Sequence, residues 1–104
     1  MGEWVGLPGD DGARGYLPLR TPEPTGALLV LHAGRGLDGS ARRLADRLAG
    51  AGFAVLAPDL YRGAVAHDAS AAAALRALVP GDRAARDVLA AWEALGALAP
   101  GAQR

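Results

Sequence analysis

The sequence predicts an α/β domain, and three stretches carry that prediction. "ALLVLHA", Ala27 to Ala33, is a continuous apolar run of the kind that fills a strand covered on both faces. Behind it, Ala41, Leu44, Ala45, Leu48 and Ala49 fall on one helical stripe, with Arg42, Arg43, Asp46 and Arg47 facing away. "FAVLAPDLY", Phe53 to Tyr61, is then a second strand. Ala27 to Tyr61 therefore reads as one βαβ unit with a right-handed crossover. Taken on its own, the first run is expected to be a central, parallel strand.

The remaining elements follow in chain order. "EWVGLP" and "ARGYLPLR" flank the turn-forming "GDDG" and read as a short antiparallel hairpin near the edge of a sheet, an edge position that Pro18 supports. "TPEPTG" is a stiff surface connection. Asp38 or Ser40 can cap the first helix, which Gly50 and Gly52 end. "HDASAAAALRALVP" is a short Ala-rich helix, capped by Asp68 or Ser70 and stopped by Pro80. A longer helix follows, with Asp82 as a cap and Ala85, Val88, Leu89, Trp92, Leu95 and Leu98 as its buried stripe, ending at Pro100-Gly101. Trp92 on that stripe is expected in the core.

Composition narrows the function. With 104 residues the chain is one domain, and 51% hydrophobic against 21% charged residues is globular. Eleven basic residues balance eleven acidic ones, so no net field draws the molecule to nucleic acid or to anionic lipid, and neither partner is expected. Acidic residues stand where a signal peptide needs basic ones, and no apolar span is long enough to cross a bilayer, so a cytoplasmic location is expected. Met1-Gly2 opens like a myristoylation site, but Gly6 stands where Ser or Thr is required. There is no cysteine, hence no disulfide and no thiolate, and two histidines with scattered Asp make no metal-ligand spacing. No cofactor or metal is expected.

Gly34, Gly36 and Gly39 form a G-x-G-x-x-G between the first strand and its helix. Such a loop can cradle a pyrophosphate at a helix N-terminus, and Asp59, twenty residues after Gly39, would be the ribose ligand. Against this dinucleotide reading, Pro58 interrupts between "FAVLA" and Asp59, a hairpin precedes the unit, and no later strands complete a mononucleotide-binding half.

The segments "LVLHAGRGL", "ADRLAGAGF" and above all "VLAPDLYRG" resemble the N-terminal part of the dienelactone hydrolase family of α/β-hydrolases, over nearly the whole chain. The resemblance implies a partial three-layer α/β-hydrolase fold: the hairpin, one βαβ unit with sheet order 1-2-4-3, and two C-terminal helices. In that order the Ala27 to Ala33 strand becomes an edge, beside which a fifth strand is expected. The family hydrolyses ester or lactone bonds of small carboxylic substrates. Its loop after the third strand supplies one backbone N–H of the oxyanion hole, a donor that must be fixed before charge develops. The matching residue is Gly34 or, failing that, Arg35, at positions where the family usually has bulky aromatics. His32, Ala33, Asp59 and Tyr61 would then line substrate-side loops. Where some members carry a glutamate that modulates the nucleophile, this chain has Ala33.

The family's nucleophile sits on a G-x-C-x-G or G-x-S-x-G elbow, which does not occur here; Ser40 and Ser70 lie in other contexts. The chain is thus expected to be a truncated member without nucleophile, acid or base, with His32 and His67 not transferable as the base. Acyl transfer needs a nucleophile within reach of an oriented base, so the chain alone is expected to be inactive. Beside the functional roles stand structural ones: His32 as a hydrogen-bonding strand-end residue, Asp59 as the fixer of a turn, and Arg42, Arg43 and Arg47 as solvated helix exterior. An exposed apolar parallel edge at Ala27 to Ala33 invites pairing, so self-association, union with a separate C-terminal half or marginal stability is expected. A non-catalytic binding or assembly module is the alternative from another class.

Overall fold

A computed structural model describes residues 2–9, 12–20 and 22–104. The turn expected at "GDDG" includes Asp10 and Asp11, the surface connection includes Thr21 and the acylation motif includes Met1; these four residues lie outside the described ones.

The elements are β1 (Glu3–Gly6), β2 (Arg14–Leu17), β3 (Gly26–Leu29), α1 (Gly39–Gly50), β4 (Phe53–Pro58), α2 (Ala69–Leu78) and α3 (Gly81–Leu98). The strands form a mixed sheet in the order β1-β2-β4-β3. β1 and β2 are the antiparallel hairpin, with Trp4 opposite Tyr16; β2 pairs antiparallel with β4, and β3 pairs parallel with β4, with Leu28 opposite Val55. Pro18 therefore marks no edge strand: β2 lies inside the sheet, and the proline follows its last residue, where its missing N–H breaks no ladder bond.

β3 is at the end of the sheet rather than central, as the strand order implied by the family resemblance requires. Its apolar sequence is still needed, because both faces are covered. Leu28 and Val30 enter a cluster with Leu37, Ala45, Ala49 and Val55 on the α1 side. Ala27 and Leu29 enter another with Leu17, Leu56, Ala91 and Leu95 on the α3 side. Helix, sheet and helix make three layers around alternating strand residues. The strand is shorter than Ala27 to Ala33. The Val30 N–H still bonds the Leu56 carbonyl at 3.0 Å, but the chain then leaves the sheet to enter a turn at 33–36.

α1 starts at Asp38, whose carboxylate accepts the Ala41 N–H at 3.0 Å. Its small residues Ala45 and Ala49 face the sheet, whereas Leu44 is exposed. Asp46, expected outward, accepts the buried Tyr16 hydroxyl at 2.8 Å. Burial raises the Tyr16 pKa first, and the bond to Asp46 raises it further. β4 runs unbroken through Pro58, and the Asp59 N–H continues the pairing to the Arg14 carbonyl at 2.9 Å.

α2 is capped by Asp68 through the Ala71 N–H at 2.7 Å. α3 is not capped by Asp82. Its N-cap is Pro80, without a side-chain bond, and Asp82 lies in the first turn, where its charge suits the helix dipole. The buried face of α3 is also rotated from the expected stripe: Asp87, Ala91 and Leu95 point inward, while Leu89 is 63% and Trp92 41% exposed. Close approach to a sheet already filled by Leu56 leaves room for Ala91 but not for an indole. Trp92 instead carries the Arg104 guanidinium 4.8 Å above its ring. No described helix is long and apolar enough to cross a membrane.

Candidate active site

Two turns meet at the C-terminal ends of β3 and β4, the end of an α/β sheet where ligands bind. The first follows β4. Asp59 is 2% exposed, and each of its carboxylate oxygens is engaged: Oδ1 accepts the Tyr61 N–H at 3.2 Å, while Oδ2 accepts the Gly63 N–H at 2.8 Å and Arg14 Nε at 3.0 Å. The structural role of Asp59 as a turn fixer is what the geometry displays. Arg62 adopts φ of 51°, in the left-handed region, and its guanidinium makes a two-pronged bond to the buried Asp87 of α3, at 3.1 Å and 2.8 Å. The 59–63 turn is thus tied on one side to β2 and on the other to α3.

The second turn follows β3. The Gly36 N–H bonds the Ala33 carbonyl at 3.0 Å, closing a four-residue turn over 33–36. Gly36 has φ of +94°, and a Cβ there would stand 2.7 Å from the Ala64 carbonyl oxygen, so only glycine fits. The Arg35 carbonyl accepts the Ala66 N–H at 2.9 Å, and the Arg35 guanidinium reaches the His67 carbonyl at 3.3 Å.

Two side chains join the turns. His32 Nε2 accepts the Leu60 N–H at 3.0 Å. A backbone amide can only donate, so the ring proton sits on Nδ1, which donates to the Ala33 carbonyl at 2.8 Å. Both ring nitrogens are therefore in use, and His32 is a structural post. Tyr61 packs edge-on against that imidazole with centroids 4.9 Å apart, and its hydroxyl donates to the Gly34 carbonyl at 2.9 Å.

The carbonyls of Ala33 and Gly34 are thus both held, whereas the N–H groups of Gly34 and Arg35 have no acceptor among the described residues. In a trans peptide the N–H points opposite to the C=O of the same unit. The free donors accordingly face away from the groups that hold those carbonyls, and the residues that carry them border an open cleft of about 780 Å³ lined by His32, Ala33, Gly34, Arg35, Ser40 and Arg76. Arg76 of α2 lays its guanidinium where a Gly34 side chain would be.

Of the residues singled out from sequence, His32, Ala33, Gly34 and Arg35 border this cleft together, and Asp59 and Tyr61 stand behind them. Arg14, Arg76 and Asp87 were not anticipated. Asp87 does leave a trace, since it precedes Ala91 and Leu95 by one and two turns on the same face. In the glycine loop Asp38 caps the start of α1, and Asp59, the expected ribose ligand, is enclosed by Arg14 and two amides.

A family model described as the dienelactone hydrolase family matches residues 13–99. The chain belongs to that family. A crystal structure assigned as a dienelactone hydrolase, from Klebsiella pneumoniae subsp. pneumoniae, is similar in fold, with a TM-score of 0.64 and 25% identity. The alignment covers 90% of this chain and 43% of that protein, so this dienelactone hydrolase family member spans less than half the length of the structure it matches. No curated protein is significantly similar to it. The four-stranded order β1-β2-β4-β3 with helices on both faces is α/β-hydrolase architecture.

Proposed function

We propose that this chain builds the oxyanion-binding wall of a dienelactone-hydrolase-type site acting on ester or lactone bonds of small carboxylic substrates. The observation that carries the reading is the 33–36 turn, with two held carbonyls and two free N–H groups beside a cleft. A donor fixed in advance stabilises negative charge as it develops on a carbonyl oxygen, by roughly 3 kcal/mol where a nucleophile is in place. The guanidinium groups of Arg35 and Arg76 at the same cleft favour an anionic substrate such as a carboxylate.

In this reading the nucleophile, acid and base belong to a segment outside these 104 residues. Ser40 is exposed with its hydroxyl accepting from Arg43, Ser70 is exposed at the start of α2, and His32 has both ring nitrogens engaged. Among the described residues no histidine ring is hydrogen-bonded to either hydroxyl. The outer side of β3 bears one backbone bond, from Ala27 N–H to the Gln103 carbonyl at 2.8 Å, and no strand among the described residues. It is the place where such a segment, or a second copy of the chain, would pair.

The test has two parts. Titration with phenylphosphonate, a stable mimic of a tetrahedral oxyanion, should shift the Gly34 and Arg35 amide resonances. The purified chain should hydrolyse p-nitrophenyl acetate no faster than buffer. Shifts centred instead on the apolar groove of about 600 Å³ around Pro22, Phe53 and Leu98 would overturn the site. Enzyme-like turnover abolished by Ser40→Ala or Ser70→Ala would overturn the missing nucleophile.

A further inference from the structure

We propose that Tyr61 is a positioning residue that fixes the Arg35 N–H as an oxyanion donor beside the Gly34 N–H. The proposal rests on the functional reading above and deepens it. The Arg35 N–H belongs to the same peptide unit as the Gly34 carbonyl, and that carbonyl receives one bond, from the Tyr61 hydroxyl at 2.9 Å. Rotation of this unit is a soft motion when glycine supplies one of its flanking dihedrals. The hydroxyl therefore decides which way the Arg35 N–H faces. The unit before it is held differently. The Ala33 carbonyl accepts from both Gly36 N–H and His32 Nδ1, so Gly34 N–H keeps its direction whether or not Tyr61 has a hydroxyl.

Tyr61 can do this because its own position is over-determined. Its N–H is held by Asp59, its ring lies against His32, and the residue after it is bound to Asp87. The chain thus transfers rigidity from two ion pairs, through one phenol, to one peptide plane. That supplies a reason for a hydroxyl at this position which ring packing alone does not give. A phenylalanine would keep the contact with His32 and leave the Gly34 carbonyl unpaired.

The test is Tyr61→Phe in the full chain, read by NMR with and without phenylphosphonate. The variant should move the Gly34 carbonyl-carbon and Arg35 amide resonances selectively, leave the Gly34 amide near its original position, and weaken phenylphosphonate by about three- to tenfold, the worth of one hydrogen bond. Tyr61→Leu, which also removes the ring, should disturb His32 and the Gly34 amide as well; that contrast separates the hydroxyl from packing. If the wild-type chain binds no phenylphosphonate, the functional reading falls, while the two resonances still decide on Tyr61. The proposal is overturned if Tyr61→Phe leaves the Gly34 carbonyl and Arg35 amide unmoved, or moves the Gly34 amide as much.

Discussion

The turns at 59–63 and 33–36 lie side by side and are joined by His32 and Tyr61, yet they use their backbone groups in opposite ways. In the first, the N–H groups of Leu60, Tyr61 and Gly63 all have acceptors, and two guanidinium-carboxylate pairs anchor it to β2 and α3. In the second, the carbonyls are held but two successive N–H groups beside a cleft have no acceptor among the described residues. The difference separates a support from a working surface. A donor that is to meet transient charge must be unoccupied and yet immobile, and the immobility has to come from neighbouring structure.

The largest effect should come from breaking the support. Asp87→Ala would leave the Arg62 guanidinium, with its side chain 16% exposed, without its carboxylate, and should cost about 3 to 5 kcal/mol in urea unfolding. Gly36→Ala attacks the open turn directly. Its φ of +94° and the clash with the Ala64 carbonyl should together cost about 2 to 3 kcal/mol, with loss of the Arg35 and Gly34 resonance positions. Asp38→Ala should remove about 1 kcal/mol by uncapping α1, without touching the 59–63 turn.

A pH series provides a control away from both turns. Folded Tyr16 keeps a proton that the unfolded chain releases near its ordinary pKa of 10.0. Stability from this group is therefore full below that pH and declines as pH rises above it, and Tyr16→Phe should flatten that alkaline decline. The smallest effect is expected for Leu89→Ala, within about 0.5 kcal/mol by thermal unfolding, since Leu89 is 63% exposed.

Much of the support was legible from local pattern, and much of the surface was not. Apolar runs and caps place β3, α1, β4 and α2 to within a few residues, because strand alternation and Asp38 or Asp68 capping are properties of neighbours in sequence. The rotation of α3 was not legible. It depends on how closely a helix can approach Leu56, so that Ala91 turns inward and Trp92 outward, a matter of packing between distant segments. The edge position of β3 likewise could not come from its apolar run and came from the family's strand order. At the site, the glycine turn was visible as a turn. Its meaning depends on Tyr61 reaching back to Gly34 and on Arg62 meeting Asp87, pairings that no spacing announces.

Amide hydrogen exchange, followed residue by residue in the full chain, tests the contrast between the two turns most directly. The account predicts slow exchange at Gly36, Leu60, Tyr61 and Gly63, and fast exchange at Gly34 and Arg35. Protected Gly34 and Arg35 amides, or Leu60, Tyr61 and Gly63 exchanging as freely as an exposed loop, would contradict it.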